Sequence, residues 1–268
     1  SIKYVKLDKY GEVDLSDLEQ ILKSHEGAKL VSLMYVNNEI GNLLNIDEVA
    51  RICKLYNSFF HTDSVQAMGH YKINLRSTPI DFLSASAHKF HGPKGIGFSF
   101  IRKGVNLNPF IIGGPQERGL RAGTEAVDRI VGMQKALETS YQNHESEKKH
   151  ILELKKYFIQ KLRSIFPKIH FNGHSESLEK SSFKIVNVAI PINSSKVDLI
   201  DFHLDLKGIA CSKGSACQSG SSKGSHVIEE FKNKNKILNN YPSLRFSFSF
   251  LNTKKEVDYL IKCLSELK

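Results

Sequence analysis

The chain is poor in proline and has few cysteines, 7 and 4 in 268 residues, and its 18 glycines are no excess. The four cysteines, Cys53, Cys211, Cys217 and Cys263, include no CxxC pair. That excludes a disulfide scaffold and offers no zinc or iron–sulfur ligand spacing. The lack of any glycine or proline excess also excludes collagen-like and low-complexity classes. No apolar run approaches the roughly 18–20 residues that a membrane-spanning helix needs. The opening Ser1-Ile2-Lys3-Tyr4-Val5-Lys6 has neither the apolar stretch nor the cleavage site of a secretory signal. A soluble protein in a reducing, cytoplasmic setting is therefore expected.

What is present is globular material. A 40% hydrophobic and 25% charged composition supplies a sizeable core for one large domain or two smaller ones, and is too apolar for disorder. The net charge of +10 comes mostly from lysine. Lysines scattered over helix faces serve solubility, so charge alone gives no reason to expect direct nucleic-acid binding. An acidic protein partner stays open.

Short apolar runs alternate with helical patterns through the first half, as in α/β units on a mainly parallel sheet. Residues 30–36, 59–61 and 80–84 read as strands, with Asn45 capping a helix between the first two whose apolar face is Ile46, Val49, Ala50 and Cys53. Residues 95–101 follow a Gly/Pro turn and read as an antiparallel or edge strand. Polar residues gather past the strand ends, where open α/β sheets bind ligands. A helix from about Thr124 leads to a long charged helical stretch near 144–165. Beyond it come a strand at 183–190, a helix at 196–206, a strand at 244–248 and a last helix opened by the capping-box pattern Thr253-Lys254-Lys255-Glu256. Two domains are expected, 1–143 and 144–268, the second a smaller α+β domain.

Four constellations carry chemistry. Asp63-x-x-Gln66 precedes Ser86-x-His88-Lys89 by about one strand–crossover–strand excursion. A lysine past a strand end, beside His88, can form a Schiff base with an aldehyde cofactor. An aspartate on the adjacent strand end can keep a pyridine nitrogen protonated, as pyridoxal phosphate (PLP) requires. Ser86 and His88 can donate to a phosphate and Gln66 to a phenolic oxygen. Taken singly, each of these residues reads more readily as the flank of a turn; their combination is the signal. Second, residues 113–124 set Arg118 and Arg121 among glycines and end in Thr124, either an anion cradle at a helix N-terminus or a flexible charged loop. Third, Cys217 lies in a Gly/Ser-rich run, residues 208–225, where a thiol can be exposed and ionise. Cys53 and Cys263 instead sit on apolar helix faces, and Cys211 suits a strand-end core. Fourth, Arg245 interrupts the strand pattern Ser243-Leu244-Arg245-Phe246-Ser247-Phe248. It either clamps a substrate carboxylate or faces outward from a half-buried strand.

Together these segments resemble the cysteine desulfurases of the class V aminotransferases, fold type I PLP enzymes. The matching stretches are Val36-Asn37-Asn38-Glu39-Ile40-Gly41, His61-Thr62-Asp63-Ser64-Val65-Gln66 and Ser86-Ala87-His88-Lys89-Phe90-His91-Gly92-Pro93-Lys94-Gly95. Glu117-Arg118-Gly119-Leu120-Arg121-Ala122-Gly123-Thr124, Gly214-Ser215-Ala216-Cys217 and Leu244-Arg245-Phe246-Ser247 complete the set. Six motifs in family order are far more specific than any one of them.

The resemblance implies the type I PLP-dependent transferase fold and the removal of sulfur from L-cysteine. L-alanine is released and a persulfide is left on Cys217, for iron–sulfur cluster assembly or tRNA thiolation. It implies that Lys89 holds PLP and acts as acid and base at the substrate Cα, with His88 beside it in the catalytic set. Asp63 pairs with the pyridinium nitrogen, Gln66 reaches the phenolic oxygen, and Ser86 and His88 hold the phosphate. Thr124 comes from the partner subunit of a homodimer. Asn38 and Arg245 fix the L-cysteine carboxylate, and the Cys217 thiolate attacks its sulfur. A sulfur-acceptor protein such as an iron–sulfur scaffold follows as a partner, and no metal is implied. The family's N-terminal segment, with part of the phosphate cup and a ring-stacking histidine, has no counterpart in residues 1–36. An N-terminally incomplete fold is expected, with an inactive fragment that binds no cofactor as one alternative and a selenocysteine lyase-type enzyme as another.

Overall fold

The computed structural model describes residues 1–192, 199–213, 225–234 and 236–267. They form two compact units. One comprises Glu19–Tyr35 and Asn45–His144. Its sheet has the order β1 (Leu30–Met34), β2 (Phe59–Asp63), β3 (Phe82–Ser86), β4 (Gly97–Ile101). The first three strands run parallel and β4 antiparallel, the mixed, mainly parallel sheet that the sequence pattern predicts.

The register Met34↔Asp63↔Ser84 brings the carboxyl ends of β1–β3 to one edge. Period-2 alternation buries Val31, Phe60, Leu83 and Ala85 on one face. Ser32, His61 and Ser84 fall on the other, where the Ser32 hydroxyl lies 2.8 Å from His61 Nδ1. Helix α2 (Ile46–Leu55) links β1 to β2. Asn45 caps it as expected, its side chain accepting from the Glu48 amide at 3.2 Å. The helix buries Ile46, Val49, Ala50, Ile52 and Cys53. Helix α3 (Val127–Gln142) closes this unit. It starts three residues later than the apolar pattern suggests, because Glu125 and Ala126 lead into it as a turn.

The other unit comprises Ser1–Leu18, Val36–Leu44 and Glu145–Lys268. Helix α1 (Leu15–Lys23) crosses from it into the first unit. Its sheet is antiparallel, β5 (His170–Phe171), β6 (Ile185–Ala189) and β7 (Ser243–Ser247). Its helices are α4 (His144–Ile165), α5 (Ile200–Asp205), α6 (His226–Lys234) and α7 (Lys254–Ser265). All of β6 is buried. Phe158 of α4 packs edge-on to Phe246 and Phe248, with ring centroids 5.1 and 5.5 Å away.

The chain therefore does not divide by a single cut between 143 and 144. Hydrogen bonds draw two early segments into the C-terminal unit: the Asn42 amide donates to the Tyr10 carbonyl, and the His174 amide to Asn42 Oδ1. Helix α7 carries the expected capping box, Thr253 and Glu256 each accepting the other's backbone N–H. Thr253→Ala is expected to lower unfolding free energy by about 1 kcal/mol, read as a shifted denaturant midpoint at constant m-value.

Candidate active site

Asp63 is the last residue of β2 and Ser86 the last of β3. A single 3-10 turn, Ala87–Phe90, follows β3 directly and carries His88 and Lys89. It stops at His91, whose left-handed φ of +66° turns its N–H back to the Ala87 carbonyl. Gly92 must be glycine here, since a Cβ would come within 2.8 Å of the Ala87 Cβ. Asp63, Ser86 and Lys89 are half-buried and His88 is exposed. One Asp63 oxygen, Oδ1, accepts from the Val65 amide at 2.9 Å and closes the turn that carries the half-buried Gln66. A carboxylate, an amide, a hydroxyl, an imidazole and an amine thus cluster at adjacent strand ends.

Thr124 does not open a helix. It is exposed and lies three residues ahead of α3, which Ala126 caps without a side-chain bond. Nearby, Glu117 and Arg118 both hold positive φ, 47° and 59°, an uncommon conformation for non-glycine residues.

In the other unit, the Arg245 guanidinium of β7 donates from Nη1 to the Asn38 carbonyl at 2.7 Å, so the fold brings these two candidates together. The turn carrying Asn38 is tightly held. Asn37 Oδ1 accepts from the Glu39 and Ile40 amides, and Asn187 Nδ2 donates to the Glu39 carbonyl at 3.0 Å. Glu39 is buried and accepts from the Ser225 hydroxyl at 2.5 Å.

Cys217 lies outside the described residues. Cys53 and Cys263 suit the apolar helix faces read from sequence, whereas Cys211 is half-buried and outside any strand. Cys53 and Cys263 are buried, and burial pushes the Cys53 thiol up to about 12. Burial, reinforced by Asp201 and Asp205, pushes half-buried Cys211 up to about 11. Neutral thiols are poor nucleophiles.

Comparison with known proteins matches residues 1–260 to the aminotransferase class-V family. The chain belongs to this family. Its members depend on PLP. A cysteine desulfurase IscS of Dictyoglomus turgidum is 37% identical over 266 residues, spanning 99% of this chain and 65% of that protein. One from Methanosarcina thermophila is 38% identical over 266 residues, covering 99% and 63%. Among solved structures, a NifS-like protein aligns with a TM-score of 0.85 at 35% identity, covering 99% of this chain and 67% of its own. A NifS-like protein of Rickettsia africae aligns with a TM-score of 0.85 at 29% identity, covering 98% and 68%. The chain thus spans just under two thirds of the curated relatives' length.

Sequence reasoning missed the side chains that hold this turn from behind, His70 and His144. His70 Nε2 lies 2.9 Å from the Lys89 carbonyl, and His144 Nε2 lies 2.9 Å from the His70 carbonyl. Neither sits in a motif, and 19 and 74 residues separate each from its partner.

Proposed function

We propose that this chain is a PLP-dependent cysteine desulfurase, or the larger part of one, that takes sulfur from L-cysteine. The observation that carries the reading is the placement of Asp63, Ser86, His88 and Lys89 at the carboxyl ends of neighbouring parallel strands. The donor set fits PLP chemically: a carboxylate acceptor for a protonated ring nitrogen, N–H and O–H donors for phosphate and phenolic oxygen, and an amine for the aldehyde. Lys89 would tether the cofactor and Asp63 would pair with its ring nitrogen. Gln66 would donate to the phenolic oxygen, and Ser86 and His88 to the phosphate. PLP, when bound, supplies a sink for the electron pair released at the substrate Cα.

The remaining work falls to this chain's own groups. The Lys89 amine moves a proton at Cα. Arg245 and Asn38 bind the L-cysteine carboxylate, where a guanidinium fork suits bidentate contact. The Cys217 thiolate takes the sulfur and holds it as a persulfide for an acceptor, for which an iron–sulfur scaffold or a tRNA-thiolation relay would serve. Thr124 would complete the phosphate site of a second subunit in a homodimer. No described helix is long and apolar enough to cross a membrane; the cytoplasmic setting belongs to the proposal.

The test is the near-visible absorption of the chain after incubation with PLP and dialysis, beside Lys89→Ala. A retained band that the variant loses is expected. A wild-type chain that dialyses colourless would defeat the assignment of this cluster.

A further inference from the structure

The turn that carries Lys89 is gripped by a second turn, residues 65–70. At Gly69, φ is +77° and a Cβ would come within 2.6 Å of the Phe90 Cβ, so the two turns meet with no room for a side chain. The next residue, His70, is 7% exposed and sets Nε2 2.9 Å from the Lys89 carbonyl. His144, equally buried, sets its own Nε2 2.9 Å from the His70 carbonyl. A carbonyl oxygen can only accept, so both Nε2 atoms carry hydrogen and donate. The Ser140 hydroxyl approaches the adjoining Phe90 carbonyl at 3.5 Å. An imidazole has only two side-chain torsions, and burial fixes both. Two such rings in series therefore hold the Lys89 backbone at a defined point.

We infer that His70, backed by His144, is a positioning residue for Lys89. Its hydrogen bond fixes the peptide from which the lysine side chain departs, and so where the Lys89 amine meets a cofactor aldehyde and a substrate Cα. The inference rests on the proposed role of Lys89. Sites of this kind depend on groups that orient those in contact with the ligand. A histidine that merely filled the core would, on removal, lower stability and leave affinity and turnover as they were.

The experiment uses the whole chain with His70→Leu, which deletes the donor, His70→Gln, which keeps an N–H at similar reach, and His144→Leu. Four quantities are read: PLP affinity by titration, amide exchange across residues 87–91, kcat and KM for L-cysteine, and thermal stability. His70→Leu is expected to weaken PLP binding about tenfold, the factor that one net hydrogen bond supplies. It should also lower kcat by at least that factor with KM held within about threefold, and speed exchange across 87–91. His70→Gln should return all three toward wild type, and His144→Leu should move them the same way by less. The inference is overturned if Leu and Gln at 70 behave alike, or if His70→Leu lowers only thermal stability. Should His70→Leu fail to fold, unchanged exchange and PLP affinity in His144→Leu overturn it instead. A wild-type chain that retains no PLP refutes the proposed function. The exchange comparison then decides this inference alone, and unchanged exchange at 87–91 ends it.

Discussion

Replacing Cys217 by alanine is expected to cut alanine release from L-cysteine by at least about a thousandfold, with PLP retention unchanged. The expectation follows from where the electrons must go. Sulfur leaves L-cysteine when a thiolate attacks it: a sulfur–sulfur bond forms and the carbon–sulfur bond breaks. The bonding pair passes to the carbon side, where a proton completes the methyl group of alanine. No other group in the proposed site is nucleophilic enough toward sulfur. The described cysteines do not compete, since burial holds the Cys53 and Cys211 thiols neutral, at about 12 and about 11, and Cys263 is buried in α7. Cys211→Ala serves as the control and should release alanine at close to the wild-type rate. Undiminished release by Cys217→Ala would remove it from the reaction, whatever became of the rest of the site.

Much of the candidate site is legible in sequence because its chemistry is local. Asp63 and Lys89 each follow a short apolar run, so strand periodicity alone puts both at carboxyl ends. Arg245 is conspicuous because a charge interrupts an alternating strand, and the fold answers it with the Asn38 carbonyl. What is not legible depends on distant partners. His70 follows a glycine in a short turn with no periodicity to place it, yet it reaches Lys89. Segment 36–44 reads as part of the first domain, but its hydrogen bonds run to residues 174, 187 and 245. Strand β5 has two residues and gives periodicity nothing to count. Helix α6 has nine residues in a polar stretch, and packing makes it.

Lys155 is the extreme case, a lysine at helical spacing with Ile151, Phe158 and Leu162 on the buried stripe of α4. In the structure it is fully buried, and among the described residues no carboxylate is a hydrogen-bond partner. Its Nζ donates to the Ser181 hydroxyl at 2.6 Å, the Ser182 carbonyl at 2.8 Å and the Ser177 carbonyl at 3.2 Å. Burial pushes its pKa down from 10.5 to about 7. Between those values the unfolded chain binds a proton that the folded chain has released, so raising the pH favours folding. Each pH unit in that window is worth at most about 1.4 kcal/mol. Lys155→Met removes this dependence and takes from the Ser182 carbonyl the shorter of its two donors, leaving the Ile185 amide at 3.4 Å, at a cost of roughly 1–3 kcal/mol. The stability of wild type over Lys155→Met is therefore expected to grow from pH 6.5 to pH 8.5, by at most about 2–3 kcal/mol. All other titrating groups are common to the two chains and cancel in the difference. Urea midpoints of both proteins at the two pH values give the answer. A constant difference would mean that the ammonium stays charged in the folded chain, its three acceptors outweighing the loss of water.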